Sequence, residues 1–401
     1  MNFFSTARKL LQQNIREYGM YIALFVIMVY FTIMTEGTFI SSRNIVNLVN
    51  QTGYIAVLAI GMTLVIIIRH IDLSVGFLAG FLGAIAAIAM ADPKVVAAGM
   101  SLPVYIVVPM TLGLGIVAGL ITAFLVAQMK IPSFVASLTG WLIYRGAILV
   151  VTESTGTIII NNEAFNAIGN GFIPDIPDIG ILPGVHKLTL LLGIFAIVAM
   201  IFSELNERRK KQSYNFETLP TEMFVIKLVF ISGIIGTITW ILAGYQGLSW
   251  TAVVVLVVTL VYHFMMSQTV LGRHIYAVGG NPDAAELSGI SVKRLVYIVF
   301  GSMGMLSALS GILFASRLQS ATTTAGNLFE LDAIAAAYVG GVSAAGGVGK
   351  VLGSIIGALV MTSLTSGMNL MGIGISYQYM VRGAVLAAAV IFDVATRNTG
   401  K

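Results

Sequence analysis

The sequence predicts an all-α polytopic membrane protein with roughly twelve transmembrane helices and both termini cytoplasmic. Three observations carry that expectation. Of 401 residues, 57% are hydrophobic and only 10% charged, with a mean hydropathy of +0.94, a balance foreign to soluble chains of this size. Uncharged windows at 44–68, 73–91, 295–316 and 351–381 match or exceed the roughly 20 residues a helix needs to cross about 30 Å of hydrocarbon. The basic residues are spread among loops in a sided pattern, which is a topological signal. A barrel would instead alternate apolar and polar residues in segments of about ten.

Taken in order, the expected spans lie near 18–35, 44–68, 71–91, 104–128, 132–151, 188–203, 223–243, 249–267, 294–315, 332–348, 350–370 and 376–392. With the N-terminus inside, most of the 22 basic residues fall on inner loops and flanks, among them Arg8, Lys9, Arg69, Lys130, Arg273, Lys293, Arg294, Lys350 and Lys401. Only Arg43, Lys94, Lys187 and Arg317 fall outside, while Arg145 and Arg382 fall within spans. The chain thus reads as a single transmembrane domain over 1–401 with three longer polar stretches. The stretch 152–186 is expected as a periplasmic loop; it holds Glu153, Glu163, Asp175 and Asp178, with Pro174, Pro177 and Pro183 as breakers. The stretch 204–222, with Arg208-Arg209-Lys210-Lys211, reads as a solvated cytoplasmic loop, and 272–290 as a second one.

The 43 glycines concentrate in the apolar segments. Gly115-x-x-x-Gly119 and Gly353-x-x-x-Gly357 permit close helix approach. The run 340–349 is open to two readings, tight helix packing or a broken, re-entrant helix whose freed backbone lines a passage.

Several functions are excluded. Without cysteine there are no disulfides, thiolate nucleophiles or cysteine metal sites, and His70, His186, His263 and His274 lack metal-ligand spacing. No metal, cofactor or catalytic residue is expected, and no nucleic acid, since the net charge of +5 forms no patch. Gly346-Gly347-Val348-Gly349-Lys350 is not a phosphate-binding loop, because Ala344 stands where the first glycine belongs and Val351 where Ser or Thr must follow. Any ATP used must be hydrolysed by another subunit. Candidate pathway residues are the intramembrane polar ones: Asn47, Asn50, Gln51, Asp72, Ser74, Asn369 and Gln378, with Thr63, Arg145 and Arg382 beside them. A neutral polyhydroxylated solute would use such amides and hydroxyls plus an aromatic face such as Tyr54 or Tyr377. Taken singly, each reads first as an interhelical hydrogen-bonding residue. Asp72 could cap the third span with help from Ser74, or face a passage. Asp332 sits similarly on the opposite side, a hint of an inverted repeat.

Within 272–290, a helix of about two turns is expected from Pro282 to Ser288. Asn281 suits the N-cap, Pro282 the first helical position, Asp283 the positive end of the dipole and Gly289 the C-terminal closure.

Four motifs in this order give the chain a resemblance. They are Ile71-Asp72-Leu73-Ser74-Val75-Gly76, the stretch 272–290, Leu328-Phe329-Glu330-Leu331-Asp332-Ala333-Ile334-Ala335-Ala336, and Gly340-Gly341-Val342-Ser343-Ala344-Ala345-Gly346-Gly347. Together they resemble permease subunits of bacterial ABC sugar importers, the carbohydrate-uptake family with ribose, galactose and xylose permeases. His70 and Ala344-Ala345 depart from the usual motif residues. The resemblance implies a ten-helix core of the type II importer kind. The two further spans, near 188–203 and 223–243, point to the D-xylose-type members.

It also implies a homodimer in the lipid bilayer of the bacterial inner membrane, a cytoplasmic ABC ATPase with two nucleotide-binding halves, and a periplasmic sugar-binding protein. Gly279, Gly280, Asn281, Pro282, Asp283, Ala284, Ala285, Glu286, Leu287, Ser288 and Gly289 would form the coupling helix to the ATPase. The rivals are a permease of the same architecture for branched-chain amino acids or another small solute, and an ion-driven secondary transporter, for which only Asp72 and Asp332 offer intramembrane carboxylates.

Overall fold

The computed structural model describes residues 15–398 apart from 94, 95, 97, 154, 155, 178–181, 215, 217 and 219. Arg8, Lys9, Lys94, Asp178 and Lys401, which enter the charge map, lie outside the described residues. The first helices in chain order are α1 (Ile15–Met34), α2 (Ser42–Ile67), α3 (Val75–Met90), α4 (Val104–Ala127) and α5 (Ser133–Thr152). They are followed by α6 (Glu163–Asn170), α7 (Lys187–Ser213), α8 (Thr221–Ala243), α9 (Trp250–Gln268), α10 (Val270–Gly280) and α11 (Pro282–Leu287). The last are α12 (Val292–Leu318), α13 (Phe329–Val339), α14 (Val351–Leu370) and α15 (Ile375–Asn398). Among the described residues, nine helices are long and apolar enough to cross a membrane, and the apolar segments Gly19–Met34 and Val75–Met90 are shorter. Two three-residue strands, β1 (Thr157–Ile159) and β2 (Ser320–Thr322), pair antiparallel with Ile158 opposite Ala321, a small departure from an all-α chain.

The centre of the molecule is α2, α12 and α14, buried over most of their length. Small residues explain why they pack so closely. A Cβ on Gly304 of α12 would stand 2.0 Å from the Gly115 carbonyl oxygen of α4, and one on Gly357 of α14 would stand 1.8 Å from that of Ala336 of α13. Both small-residue motifs therefore serve close helix contact. Hydroxyl pairs join α2 to α14: Thr52 with Thr362 at 2.6 Å, and Thr63 with Ser354.

Expectations are corrected at three places, 71–91, 204–222 and 152–186, and at a fourth, the run 340–349, the choice left open by the sequence is narrowed. The third expected span, 71–91, is helical only from Val75, because a non-helical stretch climbs from Ile68 to Ser74. The tenth, 332–348, is not a straight span: α13 ends at Val339, and 340–350 is irregular, with Gly341, Gly346 and Gly347 at φ of +88°, +79° and +72°. Positive φ is accessible to glycine without a Cβ clash, so the run breaks the helix there. The charged stretch 204–222 is not a loop over most of its length. α7 continues to Ser213, held by Lys211–Glu207 at 2.7 Å one turn apart and by Lys227 of α8 on Glu204 at 2.7 Å. The polar stretch 152–186 likewise contains β1 and α6, the latter N-capped by Asn162 through a 3.0 Å bond from the Phe165 amide.

Candidate functional site

The capped knob forms as its local chemistry dictates. Asn281, extended at φ −154° and ψ 103°, closes α10 and opens α11, and its Oδ1 accepts the Ala284 amide at 3.1 Å. Pro282 occupies the first turn with Asp283, the helix runs Pro282–Leu287, and Gly289 takes φ +83° beyond its end. Ala285 is buried, whereas Glu286 is exposed and Leu287 is 91% exposed, a bare apolar side chain at the tip.

The knob is rooted in two other elements. A Cβ on Gly279 would stand 2.0 Å from the Ile67 carbonyl oxygen and 2.6 Å from the Gly347 nitrogen, so backbone meets backbone there. Arg69, in the turn after α2, donates from Nε to the Gly279 carbonyl at 2.7 Å and from Nη2 to that of Gly280. Gly347 donates its amide to Ile67 O at 2.9 Å, and the Tyr276 hydroxyl donates to Gly349 O at 2.7 Å. The end of α2, the glycine-rich run and the knob thus form one joint. A force on Leu287 has a hydrogen-bonded route to α2 and to the start of α14. Burial lowers the pKa of His70 in the same turn, which favours a neutral ring at neutral pH. Arg69, counted in the sequence only as a topological charge, is the residue that reasoning missed. Nothing local marks a partner 210 positions away.

The candidate pathway residues do not come together as one site. Asp72 and Ser74 meet at the start of α3, where Asp72 Oδ1 accepts the Ser74 amide at 2.9 Å and its hydroxyl at 2.6 Å. The N-cap position is Ser74, so Asp72 braces the preceding turn rather than capping the helix itself. Asn369 and Gln378 bond each other at 2.7 Å across the α14–α15 turn. On α2, Asn47 is exposed, Gln51 is half-buried, and Asn50 is buried with Oδ1 lacking a hydrogen-bond partner. The structure also brings together groups far apart in sequence. Arg382 pairs with Asp332 at 3.1 Å, and Trp141 Nε1 donates to Glu330 Oε1 at 3.0 Å. The short helices α3 and α13 meet at their N-terminal ends, where a Cβ on Gly76 would strike Glu330 Oε2 at 2.1 Å and the Gly326 carbonyl at 2.6 Å. Each is entered through a non-helical segment, as in transporter sites built on discontinuous helices. Among the described residues, no group of His, Cys, Asp and Glu is arranged to hold a metal.

The family profile described as "Branched-chain amino acid transport system / permease component" matches residues 44–390, a stretch that takes in the α2–α3 break, the knob and the glycine-rich run. The chain belongs to this permease family. Curated relatives agree. The permease is 38% identical over 390 residues to the xylose transport system permease protein XylH of Haemophilus influenzae, covering 97% of this chain and 99% of that one. It is 37% identical over 385 residues to XylH of Escherichia coli K12, covering 96% and 93%. It is 32% identical over 393 residues to the ribose import permease protein RbsC of Haemophilus influenzae, covering 97% and 95%. No solved structure matches the permease. It is a multi-pass inner-membrane protein, and as a permease subunit it is not the enzyme of its transporter; ATP hydrolysis lies in a partner.

Proposed function

We propose that this permease carries a monosaccharide, a pentose of the xylose kind or a related hexose, into the cytoplasm as part of an ATP-driven importer. Near full-length likeness to xylose and ribose permeases supports that cargo over branched-chain amino acids. In this reading two copies enclose the passage, and both termini and 204–222 are cytoplasmic. The chain enters the membrane in twelve segments, of which α3 and α13 are half-helices. The stretch 152–186 faces the periplasm and receives a sugar-binding protein. Residues 279–289 form the coupling helix that a cytoplasmic ATPase with two nucleotide-binding halves pushes upon.

The observation that carries the coupling role is the bare Leu287 on a capped helix whose root is hydrogen-bonded to Arg69, just after α2, and through Tyr276 to Gly349. An apolar side chain at the tip of a capped, rooted helix is shaped to fill a pocket on a partner. Uptake of labelled xylose by cells expressing the complete transporter tests it. Leu287→Arg and Glu286→Arg should each lower uptake at least about tenfold, the effect of losing roughly 1.4 kcal/mol of coupling, with the permease still present in the membrane. Unaltered uptake in both variants removes the coupling role.

A further inference from the structure

Halfway along α2, at Tyr54, the protein gathers polar groups that no interhelical packing need explains. Gln51 lies one turn before Tyr54 on α2, and Asp332 lies one turn after Phe329 on α13, where it pairs with Arg382 at 3.1 Å. Its ring lies 5.0 Å from that of Phe329 in the first turn of α13. The depth is fixed by α12: Ser310 donates to the Tyr54 carbonyl at 2.9 Å, and a Cβ on the adjacent Gly311 would strike the Ala79 carbonyl of α3 at 2.1 Å. The cluster therefore sits where the two half-helices begin, at the middle of the most buried span.

Two features separate it from a structural ion pair. Asp332 and Arg382 keep 15% and 20% of their side chains accessible, and accessible charge at this depth faces water or protein rather than acyl chains. Arg382 also leaves its buried Nε without a hydrogen-bond partner. A site that offers one guanidinium N–H, carboxylate oxygens, an amide and a phenol presents both donors and acceptors, and the Asp332–Arg382 pair is together uncharged. Such a set suits a neutral solute with several hydroxyls, and the mutually packed rings of Tyr54, Phe314 and Phe329 border it with apolar surface for the C–H side of a sugar ring.

We infer that Gln51, Tyr54, Asp332 and Arg382, with Phe329 beside them, form a cargo-binding site for a monosaccharide inside the permease, so that the membrane subunit contributes to sugar selection. This rests on the importer reading above. Of the polar and aromatic groups expected from sequence it keeps Gln51, Arg382 and Tyr54, and adds Asp332 and Phe329. Binding here is weak and transient, because a passage must release what it holds.

The test is competitive uptake of differently labelled xylose and ribose by vesicles containing the complete transporter and its binding protein. The ratio of the two sugars within one sample is independent of how much transporter is present. Tyr54→Phe and Gln51→Leu should each change that ratio by about threefold or more. The exchange Asp332→Arg with Arg382→Asp keeps the pair but reverses its geometry toward cargo, and it should change the ratio as well. If the total falls while the ratio stays that of the unmodified protein in all three, these groups act only through the fold, and the inference is overturned. An unchanged total and ratio overturns it equally. If the unmodified vesicles accumulate neither of these sugars nor a hexose such as glucose or galactose, the importer reading has failed, and this site falls with it.

Discussion

The helices at the centre of this permease are less hydrophobic than the α7–α8 hairpin at its edge. α2, α12 and α14 have mean hydropathies of 1.6, 1.9 and 1.6 in windows that are 89%, 72% and 72% buried. α7 and α8 reach 2.4 and 2.1 with only 11% and 6% buried. In water this order would be unstable, since apolar surface would lie outside. In a bilayer there is no hydrophobic gain from bringing two helices together, so burial selects for small residues and hydroxyls that pack and bond, and exposure selects for Leu, Ile and Phe. The difference separates two kinds of packing. The central helices meet backbone to backbone in contacts such as Gly304 on Gly115, whereas the α7–α8 hairpin is joined through Glu204–Lys227, Gly193 against Thr239 and the His186 turn.

The sharpest way to break this comparison is one substitution made in both regions. Gly304→Leu drives a side chain into the α4 backbone and should cost about 3 kcal/mol or more. Gly233→Leu in α8 enters open space and should leave stability within about 0.5 kcal/mol. Thermal unfolding in detergent reads both, and equal losses would abolish the distinction. A smaller effect is expected at Thr52→Val, which removes the 2.6 Å bond to Thr362; interhelical bonds of this kind average about 0.6 kcal/mol, so a shift beyond about 2 kcal/mol would contradict the packing account.

The smallest effect concerns the tether of the hairpin. Partial desolvation opposes ionisation of Asp175, but backbone N–H donors from Leu188, Lys187 and Ile176, with His186 alongside, outweigh it and hold the carboxyl below its usual value of 3.8. A depressed carboxyl contributes its stability above that usual value and loses it as pH falls through the folded pKa. Acidification below about pH 4 should therefore speed hydrogen exchange at the Leu188 amide, beyond the intrinsic pH effect, in the natural protein and not in Asp175→Asn. Equal acceleration in both would assign the tether to other contacts.

What could be read from the sequence was local. Asn281, Pro282, Asp283 and Gly289 state their caps within a few residues, and the helix formed within one residue of the expected end. Hydropathy located a helix in every expected span but not its nature. It cannot distinguish α13 followed by an irregular run from a straight helix, because glycine raises backbone freedom without lowering apolarity. It likewise stopped α7 too early, since Glu204, Glu207 and Lys211 read as loop until their pairing turns them into helix surface. The polar site was least legible. Asp332 and Arg382 are 50 positions apart, Trp141 and Glu330 are 189 apart, and no periodicity records such meetings.

The central claim is that the ATPase partner drives this permease through the tip of α11. The chain has no cysteine, so Leu287→Cys carries the only thiol in the permease and can be followed without background. In intact cells and in the assembled transporter, that thiol should crosslink to the cytoplasmic ATPase, with a yield that changes when nucleotide is bound, and should resist membrane-impermeant reagents added outside. Labelling from the periplasmic side, with no crosslink to the ATPase, would contradict the account.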